Sequence, residues 1–406
     1  MTNNPTINQA LVAVRAAQGR EVQAGLYPNP LVGYALDELT AREPGRNKNF
    51  FWFQVPIVTA GKLGRSRDLA ATDRRLADTN AEMQGVRVLT TVRLLFYEAL
   101  GAARLVELRR EQLGLVREAA SVSEDLFNVG QADRPDVLAV EIEVQRAEIE
   151  LAKALTHQTR TWRVLAAVVG NPALPVTPLA GDLEANIPSL QVEEVTSRLL
   201  RESPEIRAAQ VNVERARAAL ERVKAERIPN LFVRTRVGYN SQSFAPGKDV
   251  GFEAGVEIGV PLPLFDRQQG NLATAEADLE HARREVQRLE LALRSQVASA
   301  IKSYEDSRAE AERYQREILP RAQQAYELYL KGFRQMAAAY PQVLIAQRTL
   351  FQARTEYVQA VVDLWRGAVV LEGMLLSGGL EAPFHRTMQL PSPTGHVPAA
   401  AGRATE

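Results

Sequence analysis

Cysteine is absent from the 406 residues. That excludes disulfides, thiolate metal sites and a cysteine nucleophile, and it is neutral about compartment. No run of 18 apolar residues occurs, so no transmembrane helix is available. Membrane β-strands remain open, because they need only about 10 residues of alternating polarity. Excess charge of either sign is missing too: 49 basic side chains stand against 49 acidic ones, which gives no argument for a nucleic-acid partner. Histidine is scarce. His157, His281, His385 and His396 are far apart in the chain, and each reads as a surface residue. Walker, GxGxxG and GxSxG motifs are absent, so the sequence predicts no enzyme, no cofactor and no metal site. The opening MTNNPTINQALVAVRAAQGR lacks the basic and then apolar pattern of a signal peptide.

Apolar residues, by contrast, make up 46% of the chain, enough for packed structure. They are arranged in a pattern written twice. GLYPNPLVGYAL (25–36) resembles RIPNLFVRTRVGY (227–239), with Pro28 matching Pro229. FQVPIVTAGKLG (53–64) resembles GVPLPLFDRQQG (259–270), with Pro56 matching Pro261. LFNVGQADRPDVLAVE (126–141) resembles LYLKGFRQMAAAYPQVLIAQ (328–347), with Gly130 matching Gly332 and Pro135 matching Pro341. Landmarks in one order at one offset of roughly 200 residues predict a duplicated unit rather than a solenoid. The predicted division is a first repeat over 1–169, a Pro-rich connector over 170–190, a second repeat over 191–376 and a disordered Pro/Ala/Gly-rich tail over 377–406.

Each repeat reads helix, strand, turn, strand, long helix, turn, helix. The strands are expected at about 29–39, 48–56, 230–240 and 250–261, the last pair joined by a polar turn over 240–249. A single helix is expected over 192–226. Long helices are expected over 62–127 and 266–331, with return helices over 135–169 and 341–376. A helix of about 65 residues spans roughly 100 Å, longer than any compact core of this chain, so coiled-coil partners are expected along it. Glu141 and Glu143 read as a solvated helix face.

The strands are two-faced. Val250, Phe252, Ala254, Val256, Ile258 and Val260 fall on one side, with glycines, Glu253 and Glu257 on the other; Arg234 and Arg236 mark the polar side of the preceding strand. Two hairpins packed on helices in water would satisfy this alternation. A bilayer would satisfy it as well, on one condition. Four strands cannot close a barrel, and an open sheet edge in lipid leaves amides unpaired at several kcal/mol each. Several chains would then have to share one barrel. In that case Arg234, Arg236, Glu253 and Glu257 face a wet lumen, and the run Phe50, Phe51, Trp52, Phe53 fits an aromatic girdle at the membrane interface.

In this combination of features, over about residues 5–376, the chain resembles the TolC-type outer-membrane efflux family. The features are the duplicated unit, YPNP or IPN opening each hairpin, P-I/L closing it, and a Gly followed by D/Q-V-L at each helix–helix turn. The phrases QVPIVTAGKLG and YPQVLIAQRTLFQAR look closest to its cobalt–zinc–cadmium branch. The resemblance implies a mainly α-helical fold with a small β part, a homotrimer whose three chains form a twelve-stranded barrel in outer-membrane lipid, and a helical tunnel into the periplasm. It implies a periplasmic adaptor and an inner-membrane pump of the RND or another type as partners, with metal cations or small toxic compounds as cargo. It places the periplasmic tip, where the adaptor docks and a gate closes, at Gly130, Asp133 and Asp136 in the first repeat and at Tyr329, Gly332, Arg334 and Gln342 in the second. The family's paired tip aspartates fall here on Gln342 and Ile345, and Asp136 with Arg334 is the best guess for a gate contact. Asp136 could equally cap the return helix after Pro135, and Gly130 and Gly332 serve the turn backbone. The other reading is a soluble coiled-coil tethering protein. The stretch 191–202 has no counterpart ahead of Asn4-Pro5, so the export reading expects a leader encoded upstream.

Overall fold

A computed structural model describes residues 3–37, 47–130, 133–185, 187–245, 248–335 and 340–381. Helix α1 (Pro5–Ala24) leads into strands β1 (Leu31–Asp37) and β2 (Lys48–Ile57), then α2 (Lys62–Asn128) and α3 (Arg134–Val169). After the connector come α4 (Val192–Glu202), α5 (Pro204–Glu226), β3 (Leu231–Ala245), β4 (Lys248–Gly259), α6 (Gln269–Arg313), α7 (Leu319–Arg334) and α8 (Tyr340–Glu372). All strands join one antiparallel sheet in the order β1-β2-β3-β4.

Local chemistry sets the boundaries. Asn4 caps α1, accepting the Thr6 amide at 2.9 Å, with Pro5 at the first helical position, where its missing N–H costs nothing. Ser203-Pro204 occupies the same two positions at α5, without a side-chain cap bond, and the single helix expected over 192–226 is two: Pro204 lacks the amide that would continue α4. The helix expected over 266–331 is also interrupted. Its sequence contains Pro320, and a π-turn (Tyr314–Ile318) stands just ahead of it, where the ladder must rearrange around the absent donor. By contrast α2 runs unbroken for 67 residues. The polar turn expected over 240–249 is mostly strand: β3 continues to Ala245 through two register shifts, leaving Pro246-Gly247 outside the described residues.

The core lies where α2, α6 and α8 meet the connector. Tyr97 stacks on Trp365 with ring centroids 4.0 Å apart. Buried aromatics hold the connector by its backbone. Trp365 donates to the Leu183 carbonyl (2.9 Å), Trp162 to that of Leu174 (3.1 Å), and Tyr304 donates to Pro188 (2.8 Å) while accepting the Leu190 amide (2.9 Å). The disordered tail expected over 377–406 does not begin at 377. Gly379 accepts from the Thr6 hydroxyl (3.1 Å) and donates its amide to Thr91 (3.0 Å), so residues through 381 pack against α2, and 382–406 lie outside the described residues.

Tyr314 opens the π-turn and donates to Glu356 on α8 at 2.8 Å, a bond that holds its phenol up at about 12 against an ordinary 10.0. The folded state therefore keeps a proton that the unfolded chain loses above about pH 10, so this contribution is complete below that pH and falls as pH rises toward 12. Thermal melts from pH 9 to 12 should show Tyr314→Phe less alkali-sensitive than the parent; an unchanged pH slope would contradict the assignment.

Candidate functional site

The pairing register sorts the sheet's side chains without ambiguity, because cross-strand partners share a face. On one face lie Val32, Tyr34, Phe51, Phe53, Val237, Tyr239, Phe252, Val256 and Ile258, matched by the pairs Val32↔Phe53, Tyr34↔Phe51, Phe51↔Val237 and Tyr239↔Phe252. All are exposed, several by more than 70%. A contiguous apolar sheet face of this size is foreign to a water-soluble surface.

The opposite face carries the four charges singled out in the sequence. Arg234 donates to Gln54 (2.7 Å) and Glu257 (3.3 Å), and its guanidinium lies over the rings of Trp52 and Phe232 at 5.5 and 5.7 Å. Arg236 lies over Phe50 at 5.5 Å. Glu253 accepts from buried Asn240 at 3.0 Å. The expected aromatic girdle is thereby divided: Phe51 and Phe53 belong to the apolar face, whereas Phe50 and Trp52 lie under the arginines, because strand alternation splits any run of four. The glycines of this face have a packing role that the sequence pattern does not show. Trp52 lies across Gly33, Phe50 across Gly238, Arg236 across Gly255 and Phe232 across Gly259, and each pair is a direct cross-strand partner. A Cβ at any of the four glycines would collide with the side chain lying over it. The large groups therefore lie flat, and the polar face stays shallow.

Below the sheet, a polar joint connects β2 to α2. Thr59 donates to the Pro229 carbonyl at 2.7 Å, and Lys62 donates to Asn230 at 2.7 Å with Glu226 at 3.9 Å. Burial lowers the Lys62 ammonium from its usual range, partly offset by the Glu226 charge.

The far ends of the helices hold the tip residues. Gly130 has φ +75 and ends α2, a left-handed position suited to glycine. Gly332 instead lies within the last turn of α7, where its carbonyl accepts the Gln335 amide at 3.2 Å. Asp133, not Asp136, is the N-cap residue of α3; Asp136 sits in the first turn, where the helix dipole favours a carboxylate. Tyr329, Arg334 and Gln342 are exposed. Among the described residues no ion pair joins Asp136 to Arg334 within the chain. Arg134 occupies the tip instead, 5.9 Å over Phe127 and 3.8 Å from Glu141. Farther up, Glu143 is buried rather than solvated. It pairs with Arg348 of α8 and with Arg146 at 3.0 Å, tying the two return helices together. Sequence alone carried no signal for this pair, because its members are 205 residues apart.

Comparison with known proteins follows the same outline. The family model described as outer membrane efflux protein matches residues 1–171 and 195–372. The chain is 26% identical over 375 residues to the cobalt-zinc-cadmium resistance protein CzcC of Cupriavidus metallidurans, covering 92% of this chain and 87% of that one. It is 24% identical over 409 residues to the pyoverdine export outer membrane protein OpmQ of Pseudomonas putida, covering 94% and 84%. The fold matches that of the outer-membrane channel OprN with a TM-score of 0.78 at 19% identity, over 94% of this chain and 88% of that one.

Proposed function

The chain belongs to the outer membrane efflux protein family, and from that premise we propose that three copies share one twelve-stranded barrel and act as the passive exit duct of a tripartite export system. The observation that carries this reading is the sheet itself. Its apolar face is bare, and the outer edges of β1 and β4 pair with no strand among the described residues of the chain. In lipid those edges must be paired. Two copies would give eight strands, an interior that side chains alone fill; three leave room for an aqueous bore. The charged, shallow face then lines the bore, and the helices, roughly 100 Å long, continue it into the periplasm. A soluble coiled-coil tether would leave the apolar face in water.

Adaptor and pump are the partners that family membership implies. We assign the tip residues Gly130, Asp133, Asp136, Tyr329, Gly332, Arg334 and Gln342 to adaptor docking and gating, on the support of their position at the free ends of the helical hairpins. Cargo follows the pump, an inner-membrane RND-type or similar transporter. The names of the relatives point to cobalt, zinc and cadmium in one case and to pyoverdine in the other, and metal cations or small toxic compounds are the proposed class.

Detergent-extracted protein should run as a trimer and open ion-conducting pores in planar bilayers. Arg236→Glu should shift the pore's preference toward cations. Unchanged ion preference would remove that face from the lumen, and a monomer soluble without detergent would overturn the duct.

A further inference from the structure

The two repeats differ at one place in a way that the single chain leaves unexplained. The segment after β2 is fastened to the segment that opens β3: Thr59 bonds Pro229, and Lys62 bonds Asn230. The equivalent segment after β4, residues 260–268, is bonded, among the described residues, only within itself (the Leu264 amide to Leu262, the Gln268 amide to Asp266) and to the start of its own helix α6 (Gln269, Asn271 and Leu272). It is two residues longer between its proline and its helix cap (Pro261 to Gln268, against Pro56 to Gly61), and it projects apolar groups: Leu262 is 72% exposed, Leu264 62% and Phe265 91%. The segment that opens β1 is equally bare, with Leu26 52% and Tyr27 71% exposed just ahead of Pro28-Asn29, the counterparts of Pro229-Asn230.

We infer that these two surfaces are halves of one joint: the 260–268 segment of one copy seats on Leu26 and Tyr27 of the partner subunit. The inference rests on the shared-barrel reading and adds the seam's contacts. Repeat symmetry supplies the geometry. Where β2 meets β3 within the chain, the outgoing segment packs on the incoming one; where β4 meets the partner's β1, the same relation must recur. Matching Leu262 to Ile57, and the partner subunit's Pro30 to Leu231, sets Ile258 opposite Tyr34 of the partner subunit and Val256 opposite Leu36 of the partner subunit. Both pairings put apolar face against apolar face, as a continuous sheet requires. A register displaced by one residue would set Ile258 on the polar side. The joint within the chain is polar, whereas the joint between chains is apolar, and this fits a contact that must form between separately folded copies.

Because the chain contains no cysteine, the test needs no background removal. Tyr27→Cys and Leu264→Cys are introduced singly and together in the full chain, which is then oxidised, or treated with a short bis-maleimide, in outer-membrane vesicles. The double variant should give covalent dimers and trimers on denaturing gels, and neither single variant should. Native mass spectrometry of the same sample separates the failures. A native trimer without crosslinks overturns the seam and spares the duct; a native monomer removes the premise. Phe265→Trp provides a second readout that tolerates a poorly reactive cysteine pair. Fluorescence insensitive to brominated lipid chains supports burial against the partner, whereas strong quenching assigns the segment to lipid and overturns the inference.

Discussion

Gly238→Val should abolish the assembled protein. Gly238 stands directly opposite Phe50 in the β2–β3 ladder, and a Cβ there would fall well inside contact distance of both the Asn49 carbonyl oxygen and the Phe50 ring. The ring is a side chain and can move. The carbonyl belongs to the ladder, so relief requires separating the two strands where the repeats join. Two half-sheets with additional open edges would result, each exposed amide costing several kcal/mol in lipid. On the shared-barrel reading, the expected outcome is loss of the trimer from the outer-membrane fraction, with the chain recovered as aggregate or degraded. Thr235→Val, on the apolar face of the same strand, is the control and should assemble normally. Wild-type levels of Gly238→Val trimer would show that β2 and β3 do not pair as described.

Trp365→Ala should cost about 3–5 kcal/mol, the range for removing a buried indole, and should act at a distance. The side chain is 9% exposed, stacks on Tyr97, and donates its N–H to the Leu183 carbonyl. Its loss opens a cavity between α2 and α8 and frees the connector from the helical layer. Trp365→Phe separates the two effects: the ring remains, while the carbonyl loses its donor, at about 1–3 kcal/mol. Thermal midpoints followed by helix signal should rank the parent above Trp365→Phe and Trp365→Ala lowest. Protease cleavage within 174–185 should appear first in the alanine variant. Equal midpoints for the two variants would mean that the hydrogen bond, not the packing, holds the connector.

Much of this architecture was legible because its signals are periodic or punctuated. Period-two alternation located all four strands, and Pro28, Pro56, Pro229 and Pro261 marked where each hairpin begins and ends. Helix extents followed from long charged stretches between breakers. The errors came where a short-range rule met a longer-range one. Pro204 and Pro320 interrupt helices whose charge pattern continues past them. Residues 240–245 read as turn by composition, yet they stay paired because β4 continues opposite them. Phe50 to Phe53 read as one aromatic band although alternation sends half of them inward. The site was less legible than the fold. Face assignment needs only parity, so the polar-face charges Arg234 and Glu257 could be identified from sequence. The burial of Glu143 depends on Arg348, and no local pattern connects residues brought together by helix packing alone.

One consequence follows from the unequal construction of the two long helices. The rod beginning at Lys62 carries an unbroken ladder through 67 residues, so a push at one end arrives at the other. Its counterpart contains a wide turn at Tyr314–Ile318 and a missing amide at Pro320, and there the same push is absorbed as bending. Compliance is therefore assigned to one repeat and stiffness to the other: the second hairpin has an elbow where the first has a strut.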